Sequence, residues 1–94
     1  MNLDKSTKRI AKRVSRGFKG YPQLDLEYFG ETAKLANEVA ITFIAEEGAE
    51  PQEQRFASKI DAREDEIIQS TLWKIIERAD AKTVTEKEGV SLSK

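Results

Sequence analysis

The alternation of apolar and polar residues predicts two strands in the first half of the chain. Leu24, Leu26 and Tyr28 are separated by acidic residues, a period of two that is typical of a half-buried strand. The segment 38–45, EVAITFIA, is rich in β-branched and aromatic residues and is apolar on both faces. Such a segment is typical of an interior strand that is covered on at least one side. We therefore expect the second strand to lie inside a sheet.

The segment after this pair is more polar, and its structure is less clearly indicated. Gly48 and Pro51 predict a reversal of the chain. The stretch 52–59, QEQRFASK, then fits a third strand with Phe56 turned inward. A helix over residues 52–60 is the alternative.

A long amphipathic helix is predicted from Ala62 to about Ala79. Asp61 and Glu64 have the spacing of a capping box, in which each side chain accepts a hydrogen bond from a backbone amide of the first turn. At 100° per residue, the apolar side chains fall within one arc of about 180°; they are Ile67, Ile68, Thr71, Leu72, Ile75, Ile76 and Ala79. This arc predicts a helix that covers one face of the sheet.

These elements predict an α+β fold: an antiparallel three-stranded meander plus one C-terminal strand, covered by one long amphipathic helix. The last strand is expected within 81–87, AKTVTEK. If it joins a neighbour in parallel, the helix provides the crossover between them. Ninety-four residues correspond to a single small domain over 1–94. We divide it into a basic segment, 1–22, a sheet-and-helix body, 23–86, and a flexible tail, 87–94.

The basic segment has a helical pattern of its own. Ile10, Val14 and Phe18 lie four residues apart, so they share one side of a helix, and Gly17 is placed to end it. A helix this short is marginal in water unless it packs against a partner surface. We therefore expect the segment to be ordered at least in part and held against the body.

The net charge of −1 conceals an uneven distribution of charge along the chain. Residues 1–22 contain seven of the sixteen Lys and Arg residues and one of the seventeen Asp and Glu residues, a net +6. The remainder has nine basic and sixteen acidic residues, a net −7. Such asymmetry indicates either a basic arm that binds a polyanion or an arm that folds onto an acidic body.

Six cations of the basic segment form a candidate site for nucleic acid or another polyanion, because they can neutralise phosphates and release counterions. They are Lys8, Arg9, Lys12, Arg13, Arg16 and Lys19. Phe18 and Tyr21 are nearby aromatic residues that can stack on bases. The alternatives are that the segment docks on the acidic body, that it only keeps the protein dissolved, or that it meets a membrane surface. No motif of a known nucleic-acid-binding fold accompanies the cations.

Trp73 stands out because it falls about 150° from the centre of the apolar arc of the predicted helix. Tryptophan is enriched at protein interfaces. Trp73, with Phe18 and Tyr21, is therefore a candidate interface residue. Three arrangements would explain Trp73: the basic segment packs over it with Arg or Lys above the ring, it forms an oligomer contact, or it is partly buried at the helix edge.

Composition excludes several kinds of chemistry. The chain contains no Cys and no His, which excludes disulfides, zinc sites of the Cys/His type and Ser-His-Asp triads. Asp25 and Glu27 on the first strand provide carboxylates for Mg²⁺, and a Mg²⁺-dependent hydrolase is the least favoured alternative. No catalytic residue, cofactor or metal site is assigned, and the protein is not expected to be an enzyme.

The segments KRIAKRV, GFKGYP, EVAITFIAEEGAEP and RF give the chain a resemblance to a set of small uncharacterised bacterial proteins, from about Lys8 to Val84. The resemblance implies no activity, cofactor or partner. It implies that the basic segment and the following hairpin belong to one folded unit.

We expect a small cytoplasmic protein that acts by binding and not by catalysis. The favoured function is protein–protein interaction or self-association, through the exposed sheet edge and the Trp73 side of the helix. The alternative is binding of nucleic acid or another polyanion through the basic segment. No apolar run approaches the roughly 20 residues needed to span a bilayer, and no apolar run after the basic start suggests a secretory signal.

Overall fold

The computed structural model describes residues 2–92 and shows an α+β fold with two helices and one four-stranded sheet. The α+β class is confirmed. In chain order the helices and strands are α1 (Leu3–Ser15), β1 (Gln23–Gly30), β2 (Glu38–Ile44), β3 (Gln52–Ala57), α2 (Glu66–Ala79) and β4 (Thr83–Leu92). The segment after the turn is thus a strand, and the helical alternative for residues 52–60 is wrong.

The sheet is mixed, which departs from the predicted architecture in detail. Its strand order is β3-β2-β1-β4. The pairs β1–β2 and β2–β3 are antiparallel, whereas β4 lies parallel to β1. A parallel neighbour cannot be reached through a tight hairpin, so the chain crosses from β3 to β4 through α2. The prediction of one covering helix is wrong, because α1 packs against both α2 and β4.

The core lies between the sheet and the two helices. Leu24, Leu26 and Tyr28 of β1 are buried, and their partners on β2 are Phe43, Ile41 and Val39. On α2, the side chains of Leu72 and Ile76 are fully buried. The period-two pattern of β1 therefore places its apolar side chains on the face that the helices cover.

Local interactions begin and end α1. Asn2 caps the helix by accepting a hydrogen bond from Lys5 N, 2.9 Å away. Ile10 is buried, and Val14 packs on the edge of the core. Gly17, with a φ of +72°, takes the left-handed conformation that commonly follows the last turn of a helix.

The predicted helix from Ala62 divides into two elements. A 3₁₀ helix spans Ala62–Glu64, and α2 begins only at Glu66. The division occurs because Asp65 has extended backbone angles and caps α2, accepting hydrogen bonds from the amides of Ile67 and Ile68. Asp61 caps the 3₁₀ helix by accepting from Arg63 N, so the predicted capping box does not form across a single helix.

The buried arc of α2 is also rotated from the predicted one. Ile67 is 79% exposed, whereas Gln69 and Trp73, which the pattern placed on the polar side, are buried. Trp73 is buried because α1 covers a second side of α2. Gln69 is buried beside Tyr28 and Ala62, to which its side chain donates hydrogen bonds.

The predicted tail is largely a strand. β4 continues to Leu92 beside β1, and Val90 packs on the core. The pairing shifts register between Leu26 and Tyr28, where Gly89 has a φ of +74°. The bulge places a polar run of β4 outside the regular pairing, so the period-two pattern of a strand is interrupted in the sequence. Residues 93–94 of the predicted tail lie outside the described residues.

Candidate functional site

The C-terminal half of α1 and its C-cap residue carry a cluster of four cations, which we call the basic face: Arg9, Lys12, Arg13 and Arg16. Their spacing of three and four residues places them on one side of a helix. Together with Trp73 of α2, they line a shallow pocket of about 240 Å³. The fold thus gathers four of the six predicted polyanion-binding residues around the tryptophan.

Trp73 forms the floor of this pocket and is only 7% exposed. The guanidinium carbons of Arg9 and Arg13 lie 5.9 and 5.4 Å from the centre of its ring. At these distances the negative face of the indole attracts a cation. Within residues 2–92, the buried indole Nε1 has no hydrogen-bond partner.

Arg13 is held in place by a second contact. Its Nη1 donates a hydrogen bond to the backbone oxygen of Ala81, 3.0 Å away. Ala81 follows the C-terminus of α2, where backbone carbonyls carry partial negative charge. Arg13 therefore joins α1 to the residue that follows the C-cap of α2 while its side chain lines the pocket.

The other two cations of the basic face are exposed. Within the described part of the chain, the side chains of Lys12 and Arg16 form no ion pair with a carboxylate. An ion pair does form elsewhere on α1, where Lys8 Nζ lies 3.1 Å from Asp4 Oδ2. The charges of Lys12 and Arg16 are therefore not paired with a carboxylate among the described residues.

Lys8 and Lys19 lie outside the basic face. Lys8 is paired with Asp4, and Lys19 lies in the loop after α1, where its backbone amide donates to Thr83 Oγ1 at 2.8 Å. The same loop carries the predicted aromatic residues. Phe18 is 63% exposed and meets Tyr21 edge to face, with 5.5 Å between ring centres. The loop thus places an exposed aromatic ring two residues beyond the last cation of the basic face.

Trp73 is buried within its own chain. Of the three arrangements that the sequence left open, the structure has the basic segment packed over the ring, with two arginines above it. The Trp73 ring is thus covered by α1 of the same chain, and a protein partner on this side of α2 stays a prediction.

The carboxylates proposed for Mg²⁺ are engaged with other groups. Asp25 accepts hydrogen bonds from Gln23 and Thr85 on the face of the sheet opposite the helices. Glu27 accepts from Ser91 and Lys87, and the Ser91 hydroxyl lowers the pKa of the Glu27 carboxyl. No group of three or more potential metal ligands occurs among residues 2–92. The structure thus gives no metal-binding geometry to this pair.

A second concave region lies between α1 and the bulge of β4 and was not indicated by the sequence. It has a volume of about 380 Å³. The buried Gln69 Nε2 donates to Tyr28 Oη at 2.9 Å and to the Ala62 backbone oxygen at 2.9 Å. Burial raises the pKa of Tyr28 to about 12. The hydrogen bonds satisfy these buried polar groups, which lie where the concave region meets the core.

Comparison with known protein families, with curated proteins and with solved structures finds no match to this chain. No helix in the described range 2–92 is long and apolar enough to cross a membrane.

Proposed function

We propose that the protein binds single-stranded nucleic acid through the basic face of α1. The observation that carries the proposal is the convergence of four cations on one pocket above Trp73. Two of them, Arg9 and Arg13, are oriented by the indole ring, and two others, Lys12 and Arg16, extend into solvent without carboxylate partners within residues 2–92.

The dimensions of the basic face suit consecutive phosphates. Seven helical steps separate Arg9 from Arg16, a distance of about 10 Å along the helix axis. Cations spread over this length can each neutralise a phosphate and release its counterion, which supplies affinity without base recognition. The orientation of the arginines by Trp73 reduces the side-chain entropy that binding would otherwise cost.

The exposed aromatic ring next to the cations favours a single strand over a duplex. Phe18 is mostly exposed and lies in the loop directly after α1. Unpaired bases stack on such rings, whereas the bases of a duplex are already stacked on one another. The proposal therefore assigns phosphate contacts to the basic face and base stacking to Phe18.

Charge-removal variants test the phosphate contacts. Fluorescence anisotropy measures the affinity of the protein for a labelled single-stranded oligonucleotide over a series of salt concentrations. The affinity should fall with salt, and the double variant K12A/R16A should bind at least about tenfold more weakly at low salt. Its log–log salt slope should be shallower by about 1.4, since each single-strand phosphate contact contributes about 0.7.

A matched control distinguishes the loss of these particular cations from a general loss of positive charge. Lys34 and Lys59 are exposed and lie far from α1 in the chain, and K34A/K59A removes the same charge as K12A/R16A. The control should bind almost as well as the natural sequence. Absence of binding at low salt, or equal weakening by both variants, would refute the proposal.

Phe18→Ala tests the stacking contact separately. Loss of one stacked base costs about 1–3 kcal/mol, or roughly fivefold to more than hundredfold in affinity. The variant should weaken single-strand binding and leave weak duplex binding unchanged. If single-strand and duplex binding weakened equally, Phe18 would not be part of the proposed site. The phosphate contacts would still be tested by the charge-removal variants.

A further inference from the structure

The free edge of the sheet is formed by β3, whose residues are almost entirely exposed. β3 pairs with β2 in a regular antiparallel register on one side, and no strand among residues 2–92 pairs with its other side. The opposite edge, β4, carries the bulge. β3 is therefore the more regular of the two edges, and an edge of this kind can add a further strand.

The hydrogen-bonding direction along β3 identifies which residues face outward. Ser58 N donates to Asn37 O at 2.8 Å, which continues the β2–β3 register by one pair. Hydrogen bonding alternates along an antiparallel pair. The backbone groups of residues 52, 54 and 56 therefore point toward β2, and those of Glu53 and Arg55 point toward the free edge.

The charges on β3 select one way for two copies of the strand to pair. Glu53 and Arg55 lie on the same face and carry opposite signs. If Gln54 lies opposite Gln54 of a second copy, each Glu53 faces an Arg55 of the other copy. Moving the two-fold axis by one residue in either direction places Glu53 opposite Glu53 or Arg55 opposite Arg55, which like-charge repulsion disfavours.

We infer that two copies of this chain associate through antiparallel pairing of their β3 strands, with Gln54 on the two-fold axis. In this register the outward backbone groups of Glu53 and Arg55 bond directly to those of the second copy. The two sheets then form one continuous sheet with all helices on the same side. Charged residues on an edge usually discourage pairing; here their alternation permits it in this register.

This inference is independent of the proposed function, because β3 shares no residue with the basic face. A pair of six-residue strands buries less surface than a permanent dimer requires. We therefore expect a dimer that dissociates on dilution. Light scattering or sedimentation over a series of protein concentrations should show the average mass rising toward twice that of the chain.

Single cysteine variants test the register directly, since the chain has no cysteine of its own. Under mild oxidation, Q54C should form a disulfide-linked dimer, because the two residues face each other across the axis. Q52C is the matched control, since it has the same original residue type on the same face of β3. Its two copies would be about 14 Å apart along the strands, too far for a disulfide.

A charge variant supplies a second test. E53R reverses the charge opposite Arg55 of the second copy, so that two cations face each other, and should weaken dimerisation. The double variant E53R/R55E again pairs opposite charges and should restore dimerisation in part. Circular dichroism should show that both variants stay folded. This control is needed because R55E also removes the ion pair between Arg55 and Glu38 within the chain. A strict monomer at all concentrations, or equal cross-linking of Q54C and Q52C, would overturn the inference.

Discussion

The guanidinium of Arg13 lies 5.4 Å from the centre of the Trp73 ring and donates a hydrogen bond to the Ala81 backbone oxygen. One side chain of α1 thus contacts both the middle and the end of α2. Among its described residues, α1 buries only Ser6 and Ile10 fully. The contacts of Arg13 therefore help to hold α1 against the rest of the chain. They also place a fixed cation above the only tryptophan of the chain.

Arg13 should therefore contribute to stability, unlike the neighbouring Arg16. Arg13→Ala removes a cation–π contact and a charged hydrogen bond, and we expect it to lower the free energy of unfolding by about 1–2 kcal/mol. Arg16→Ala removes an exposed side chain and should change stability by less than about 0.5 kcal/mol. Urea unfolding measures both values. Equal effects would show that Arg13 does not anchor α1.

The ion pair between Asp61 and Arg63 predicts a pH dependence of stability. Both carboxylate oxygens accept hydrogen bonds from the Arg63 guanidinium, at 2.8 and 2.6 Å, and this lowers the pKa of Asp61 to about 2. Because the folded pKa is below the unfolded one, the stabilisation is present above about pH 4. It is lost as the pH falls through about 2.

Asp61→Asn measures this contribution. The variant should be less stable than the natural sequence by about 1–2 kcal/mol at neutral pH, a value reduced because Arg63 is partly exposed. The difference should shrink on acidification from about pH 4 to about pH 2. Urea unfolding at several pH values provides the comparison, and a difference that does not change with pH would contradict the assignment.

Gly30 is required at the end of β1 by a close backbone contact. A Cβ atom at this position would lie 1.9 Å from the Leu35 backbone oxygen. Gly30→Ala should therefore destabilise the protein by about 3 kcal/mol, which corresponds to about 12 °C or more in melting temperature. Gly48→Ala is the control: its φ is +80° but its surroundings are open, so it should cost only about 1–2 kcal/mol.

The strands and the main helix could be predicted from local patterns because their periodicity reflects a single buried face. The alternation of Leu24, Leu26 and Tyr28 and the apolar run of β2 each correspond to a strand of the core. The pattern of α2 failed where burial comes from two directions. Trp73 is buried beneath α1, and Gln69 is buried beside Tyr28 and Ala62. A single helical wheel carries no information about a second covering element.

The remaining errors have local causes. Asp65 divides the predicted helix because its side chain caps α2 while its backbone is extended. β4 was predicted to end early because its bulge interrupts the period-two pattern.

The cations of α1 were visible in the sequence, but their convergence on Trp73 depends on a contact between residues about sixty positions apart. The sequence offered this packing as one of three arrangements, and the folded chain shows which arrangement is present.

The most direct test of the proposed site uses the single indole N–H of the chain as a probe. In two-dimensional ¹H–¹⁵N NMR, titration with a short single-stranded oligonucleotide should shift the Trp73 indole signal together with the backbone amides of residues 9–16. Shifts confined to the face of the sheet that carries Asp25 and Glu27, with the indole and α1 signals unmoved, would contradict the assignment of the basic face as the binding site.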